Sequence, residues 1–201
     1  RCVSGGGEDL LQTPHIGLMH SLLQTIHNPL LDIPLVAVLA SPVFGFTADD
    51  LARIRSGRKF DSFYAAVVQD TQPKSIAFVQ MLNALRKTAR QQPLTVLLEE
   101  ILLHTHLDSL FGAMEDGEKR LEDLETFFQL ASSMEAGGTR DLGRFLQHLD
   151  TLAQKGMTAS SDQAGNGSVT IMSIHKSKGL EFPVVFLCGL SRQFNMESQR
   201  A

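Results

Sequence analysis

The sequence predicts a mainly α fold, in which a multi-helix domain is followed by a short strand–loop–strand piece of α/β character. Apolar residues recur at helical spacing from about residue 11 to Lys155. The segment 156–167 then holds small and polar residues with almost nothing to bury, which predicts a flexible linker. Beyond it, 169–173 and 183–187 are apolar runs of the length typical of buried strands.

The elements follow in order along the chain. Residues 1–10 suggest the end of an extended segment and a glycine-rich turn. Thr13 and Pro14 then favour a helix start, with a hydroxyl at the N-cap and proline at the first helical position, and Asn28-Pro29 ends that helix near His27. Shorter helices are predicted at about 30–39, 47–55 and 60–68, the second opened by an acidic variant of the capping box from Thr47 to Asp50.

Four longer stripes of apolar residues predict four further helices. The spacing of three or four residues places each stripe on one face, so the helices should bury these faces against one another. In total we expect seven or eight helices, the last two separated by Gly137-Gly138. The stripes are Phe78, Leu82, Leu85 and Ala89; Leu94, Leu97, Leu98, Ile101 and Leu102; Leu121, Leu124, Phe128, Ala131 and Met134; and Leu142, Phe145, Leu146, Leu149 and Leu152.

Composition sets broad limits on function. Of 201 residues 43% are hydrophobic and 20% charged, which suits a globular protein, and no apolar run approaches the roughly 18 residues that span a bilayer. The net charge of −4 gives no global basic footprint for nucleic acid, so any DNA contact must be local. Two cysteines without metal-type spacing make a reducing cytoplasm the default. The beginning at Arg1, without an initiator methionine or signal peptide, suggests a cut through a longer chain.

Several short patterns have structural interpretations that we favour. The stretch 96–100 resembles an apolar strand ending in an acidic pair, but Pro93 and the apolar stripe favour a helix. His104, His106 and Asp108 are spaced like metal ligands, yet they fall where a helix should end. The three glycines at 5–7 lack the lysine of a phosphate-binding loop. The densest basic cluster could contact phosphate, although most such clusters are solvated surface; it comprises Arg53, Arg55, Arg58 and Lys59.

The segment between the two predicted strands carries a more specific signal. It reads T-I-M-S-I-H-K-S-K-G-L-E-F-P-V-V-F over 170–186, with a histidine, two lysines and a glutamate crowded at the end of a strand. Such a group suggests binding of a polar or anionic ligand. The run resembles motif V of superfamily 1A helicases, T-x-H-x-[AS]-K-G-L-E-F, with Ser173 in place of the threonine. Its longer form, together with 32–39 and 41–46, is similar to the UvrD-like helicase–nuclease subunits of the AddA (RexA-like) family.

The resemblance covers nearly the whole chain and implies a domain order. Residues 1–10 would end a segment of the RecA-like 2A domain, and 11–155 would form the helical 2B-like domain. After the linker at 156–167, residues 168–201 would return into 2A with motif V. By position in the motif, Lys178, Gly179 and Glu181 would bind nucleotide, and Ser173 and His175 would contact single-stranded DNA.

The resemblance also implies the chemistry of the intact parent protein. The parent would be a bacterial cytoplasmic enzyme that uses ATP and Mg²⁺ as helicase and exonuclease in double-strand-break repair and recombination. Its partners would be single-stranded and double-stranded DNA and an AddB-like subunit, with no membrane involved. The chain itself has no G-x-x-x-x-G-K-[ST] motif, so we expect no catalytic residue, metal or cofactor in it. A self-contained helical module that binds a partner protein is the alternative hypothesis.

Overall fold

Helices make up most of the chain in a computed structural model, which describes residues 2–4, 10–56, 62–139, 141–155, 169–171, 177 and 183–187. The chain divides into two compact units, residues 1–6 with 164–201, and residues 7–163. Within the described ranges the elements are β1 (Cys2–Ser4), a 3₁₀ turn (Leu10–Gln12), α1 (Pro14–His27), α2 (Asp32–Leu39), α3 (Ala48–Ser56), α4 (Phe63–Gln69), α5 (Pro73–Gln91), α6 (Leu94–Thr105), α7 (Leu107–Gly112), α8 (Gly117–Ala136), α9 (Leu142–Lys155) and β2 (Val169–Ile171). The mainly α prediction is therefore confirmed.

The first helix lies at the centre of the helical unit. Helix α1 contacts α2, α5, α8 and α9, so apolar residues are required around most of its circumference. Five of its large side chains are at most 2% exposed, and each stabilises the fold by about 1.5–3 kcal/mol relative to an exposed position. They are Ile16, Met19, Leu22, Leu23 and Ile26.

The helix starts follow the sequence signals with two corrections. The acidic capping box is confirmed, because the Thr47 amide donates to Asp50 Oδ2 (3.0 Å) and the Asp50 amide donates to Thr47 Oγ1 (3.2 Å). Helix α1 starts at Pro14 as predicted, but the Thr13 hydroxyl does not cap it and donates instead to the Leu10 carbonyl (2.7 Å). Helix α2 begins at Asp32, after a turn in which Asn28 Oδ1 accepts from the Leu30 amide (3.1 Å).

One short helix was missing from the predictions. Helix α7 is separated from α6 by a single residue, His106, whose φ of 51° is left-handed and breaks the helical hydrogen bonding. Leu107 and Phe111 anchor it in the core at 1% and 2% exposure. Helix α8 then starts at the buried Gly117, packed so closely on α7 that an added Cβ would lie 2.8 Å from the Gly112 carbonyl carbon. A methyl group at residue 117 therefore has no room.

The two strands form a parallel pair across the whole helical segment of the sequence. Cys2 pairs with Val169, Val3 with Thr170, and Ser4 with Ile171. The extended segment at the start and the strand beginning at residue 169 are thus both formed. The buried strand predicted at 183–187 is wrong, because these residues have no strand pairing and Val184 and Phe186 are 70% and 82% exposed. An apolar run is buried as a strand only where neighbouring elements cover it. The predicted linker at 156–167 lies outside the described residues.

Candidate nucleotide- and DNA-binding loop

The loop that resembles motif V begins directly after β2. Because β1 and β2 are parallel, their carboxyl ends, Ser4 and Ile171, lie at the same edge of the pair. The chain leaves this edge at residue 172, and ligands of α/β proteins bind outside the carboxyl ends of parallel strands. Within the loop the structure describes Ser177, which is half-buried in a turn. The predicted site residues all lie outside the described residues: Ser173, His175, Lys178, Gly179 and Glu181.

The basic cluster of the sequence is partly neutralised by ion pairs. Arg53 binds Asp70 through two hydrogen bonds, Nη1 to Oδ1 (2.7 Å) and Nη2 to Oδ2 (3.1 Å), and Ser75 Oγ donates to the same carboxylate (2.6 Å). The hydrogen bonds from Arg53, and then that from Ser75, lower the pKa of Asp70 to about 2. Arg53 therefore joins α3 to the residues between α4 and α5, which leaves it poorly placed for phosphate. Arg58 and Lys59 lie outside the described residues.

The histidine run at the end of α6 is spread over a helix boundary. His104 Nε2 lies 3.4 Å from Glu100 Oε2, one turn earlier on α6, whereas His106 occupies the left-handed junction and Asp108 belongs to α7. Among the described residues, no group of three His, Cys, Asp or Glu side chains is arranged to hold a metal ion. The stretch 96–100, with its acidic pair, is helical as predicted.

A cluster of titratable residues that the sequence did not indicate joins α1 to α8. His15 Nε2 lies 2.9 Å from Asp123 Oδ2, and His15 Nδ1 lies 3.4 Å from Arg120 Nη1. The ring also packs edge-on against Phe111. Burial lowers the pKa of His15, and the neighbouring Asp123 carboxylate only partly offsets this effect. A neutral ring can donate from Nε2 to Asp123 and accept at Nδ1 from Arg120, so the cluster acts as a clamp between helices.

Comparison with known proteins identifies the family. The UvrD-like helicase C-terminal domain matches residues 5–195. Three similar proteins are each named as the A-type component of an ATP-dependent helicase/nuclease. That of Latilactobacillus sakei is 35% identical over 94% of this chain, that of Ruminiclostridium cellulolyticum 38% over 95%, and that of Exiguobacterium sibiricum 39% over 94%. The aligned region is 23%, 16% and 17% of their respective lengths.

The fold agrees with this match in the part of the chain that the structure describes. A parallel strand pair is separated in sequence by a helical unit, and the helicase-type loop follows the second strand. No helix among the described residues is long and apolar enough to cross a membrane. Since the family matches nearly all of the sequence, this chain belongs to the UvrD-like helicase C-terminal domain family.

Proposed function

We propose that this chain is a working part of an ATP-dependent DNA helicase and nuclease that acts in double-strand-break repair and recombination. The observation that carries the proposal is the family match over residues 5–195, together with relatives named as helicase/nuclease subunits. The loop after β2 adds support, because it starts at the carboxyl edge of a parallel strand pair. In the longer protein the ligands would be ATP, Mg²⁺ and DNA, and an AddB-like subunit would be the partner.

The loop would couple nucleotide to single-stranded DNA. The Lys178 ammonium and the Gly179 amide suit the phosphates, because one supplies a point charge and the other a free N–H donor. Glu181 can accept hydrogen bonds from the ribose. Ser173 and His175 can donate to the DNA backbone. Since a single short element would touch both ligands, either ligand would change the affinity for the other by the same factor.

The coupling is tested in the full-length protein with two single substitutions. Glu181→Ala should weaken nucleotide binding, and His175→Ala should mainly weaken the stimulation by DNA. Each loses a hydrogen bond to a charged group, worth about 1.5–3 kcal/mol, or about ten- to a hundredfold in the affected constant. Val185→Ala, at a 63% exposed position just beyond the loop, is the control and should change neither constant.

The measurement is the nucleotide dissociation constant with and without single-stranded DNA. Both loop variants should reduce the ratio of the two constants, because coupling is reciprocal. An unchanged ratio in both variants would remove the loop from the mechanism.

We further propose that the 201-residue chain does not hydrolyse ATP alone. Phosphoryl transfer needs a phosphate-gripping lysine and acidic Mg²⁺ ligands together, and the sequence holds no G-x-x-x-x-G-K-[ST] motif. A steady-state assay with single-stranded DNA should show background turnover. Activity that follows the chain through successive purification steps would refute the proposal.

A helical module that binds a partner protein is the second candidate. It is favoured by apolar side chains at the start of α2, where Leu30, Leu31 and Ile33 are 60%, 43% and 85% exposed. Exposed apolar groups of this kind mark contact surfaces. Ile33→Ser should then weaken capture of the partner subunit, whereas Leu103→Ser, at a 66% exposed position on α6, should not. Equal capture by both variants would exclude this surface.

A further inference from the structure

Helix α5 carries an unusual charge distribution for this chain. The sequence has 22 acidic and 18 basic residues, yet α5 contains no acidic residue in its 19 positions. Its basic residues are Lys74 near the start and Arg86, Lys87 and Arg90 near the end. The last three lie one helical turn or less apart, so they are neighbours on one surface. We call these three residues the α5 basic surface.

The α5 basic surface is not neutralised by the protein. Lys74 at the other end of the helix donates to the Gly45 carbonyl (2.8 Å) and lies 3.4 Å from Asp50 Oδ2. By contrast, within the part of the chain that the structure describes, Arg86, Lys87 and Arg90 form no ion pair and no side-chain hydrogen bond. A cation at a helix C-terminus offsets the helix dipole, but that effect is confined to the last turn and does not explain Arg86 and Lys87. Three unpaired cations in one place are free to bind an anion.

The surface borders an open groove of about 650 Å³. The groove lies where the ends of α1 and α5 meet the start of α9, and its polar lining comprises His27, Arg86, Arg90, Gln91, Gln92 and Asp141. Asp141 is the one carboxylate among the lining residues, and its Oδ1 accepts from the Arg144 amide (2.9 Å) at the start of α9. The two glutamine amides can donate hydrogen bonds. The groove therefore offers cations and neutral donors to a ligand.

We propose that the α5 basic surface binds the phosphate backbone of nucleic acid. This inference deepens the proposed function and rests on it. Residues 86 and 90 are separated by about 6 Å along the helix axis, and phosphates of one strand are spaced by about 3.4 Å along a duplex, so the two arginines can reach neighbouring phosphates. An arginine can also bind a phosphate through two parallel hydrogen bonds.

The side chains of the groove favour nucleic acid over a protein ligand. Protein interfaces are built around aromatic and other apolar anchors and are depleted in lysine. Here the apolar lining residues Ile26 and Leu142 are buried, and the lining contains no Phe, Tyr or Trp. The lack of an aromatic lining also predicts contact with the backbone and little base stacking. Binding at this surface should thus be independent of base sequence and sensitive to salt.

The test measures binding of a fluorescent 20-base-pair duplex by the 201-residue chain over a range of salt concentrations without nucleotide. Each phosphate neutralised contributes about 0.9 to the slope of log K against log salt for duplex DNA. The double variant Arg86→Gln/Arg90→Gln should therefore lower the slope by about two and weaken binding about tenfold or more at low salt. Lys87→Gln alone, at an exposed position, should lower the slope by about one.

Two control variants separate local contact from overall charge. Arg86→Gln/Arg90→Gln changes the net charge from −4 to −6, and Gln129→Glu/Ser132→Glu on exposed positions of α8 changes it by the same amount. The α8 variant should retain most of the affinity. Arg86→Lys/Arg90→Lys keeps the charge and should keep most of the slope. Circular dichroism melts verify that each variant is folded, and Lys87→Gln keeps the test informative should the double variant unfold.

Several results would overturn the proposal. These are a chain that does not bind DNA at all, an unchanged salt slope in both the double variant and Lys87→Gln, and an equal loss in the α8 control. Loss of partner-subunit capture with unchanged DNA binding would assign the surface to a protein instead. The same assay on His175→Ala distinguishes this proposal from the proposed function of the loop. If the loop proposal fails, His175→Ala binds like the wild type while the α5 variants still lose affinity.

Discussion

Replacing Gly117 with alanine adds one methyl group where α8 begins against the end of α7. The new Cβ would lie 2.8 Å from the Gly112 carbonyl carbon and closer still to its oxygen. Both are backbone atoms, so no side chain can rotate away, and one of the two helices must shift. Forcing an extra methyl group into a packed site costs about 1–3 kcal/mol. Helix propensity opposes this by about 0.5–1 kcal/mol in favour of alanine. We therefore expect a net loss of about 1–2 kcal/mol.

Gly17 provides a matched control with the opposite sign. It lies inside α1, and a Cβ built there meets nothing within 4 Å. Gly17→Ala should thus stabilise the chain by about 0.5–1 kcal/mol, because alanine loses less backbone entropy on folding. For a chain of this length 1 kcal/mol corresponds to about 2–4 °C in Tm, so Gly117→Ala should melt about 2–8 °C lower and Gly17→Ala about 1–4 °C higher. Far-UV circular dichroism melts measure both. A Gly117→Ala chain at least as stable as the wild type would refute the packing argument.

Three further predictions concern charged and capping groups. Because the folded state lowers the pKa of His15 from its ordinary 6.5, its stabilising effect is fully present above pH 6.5 and is lost as the pH falls through the lowered value; urea unfolding of His15→Gln should depend less on pH in that range. Asp70, with a pKa of about 2 against 3.8, stabilises the fold above pH 3.8 and loses this effect as the pH falls towards 2, so Asp70→Asn should be less stable at neutral pH and flatter with pH in acid. Glu135 caps α6 from α8, accepting from the Thr95 amide (3.3 Å) and hydroxyl (2.9 Å), and Glu135→Ala should lower the free energy of unfolding by about 0.5–2 kcal/mol, whereas an unchanged midpoint in denaturant would show that water replaces the cap.

The helices were predictable because their apolar residues repeat over several turns. Helix α7 was missed because it has only six residues, and two buried side chains, Leu107 and Phe111, are too few to show a period. The strand predicted at 183–187 failed for another reason. An apolar run of five residues shows that burial is possible, but whether it is buried depends on neighbouring strands that the run itself does not specify.

The candidate sites differ in how far the sequence could reach. The loop at 172–182 is defined by residue types in a fixed order, so it could be found without a structure. The pairing of His15 with Asp123 could not, since 108 residues separate them and only the packing of α1 on α8 brings them together. The α5 basic surface lies between these cases. The sequence showed the denser cluster around Arg53, and only the structure shows that Arg53 is paired while Arg86 and Arg90 are not.

The parallel pairing of β1 with β2 has a consequence for synthesis on the ribosome. Cys2 leaves the ribosome about 165 residues before its partner Val169. At about 5–20 residues per second, β1 waits roughly 10 to 30 s before it can pair with β2. During that time its backbone amides and carbonyls are open to other strands, which is the usual route to misassembly. A strand of three residues offers few such groups, so the shortness of β1 limits this risk until β2 emerges.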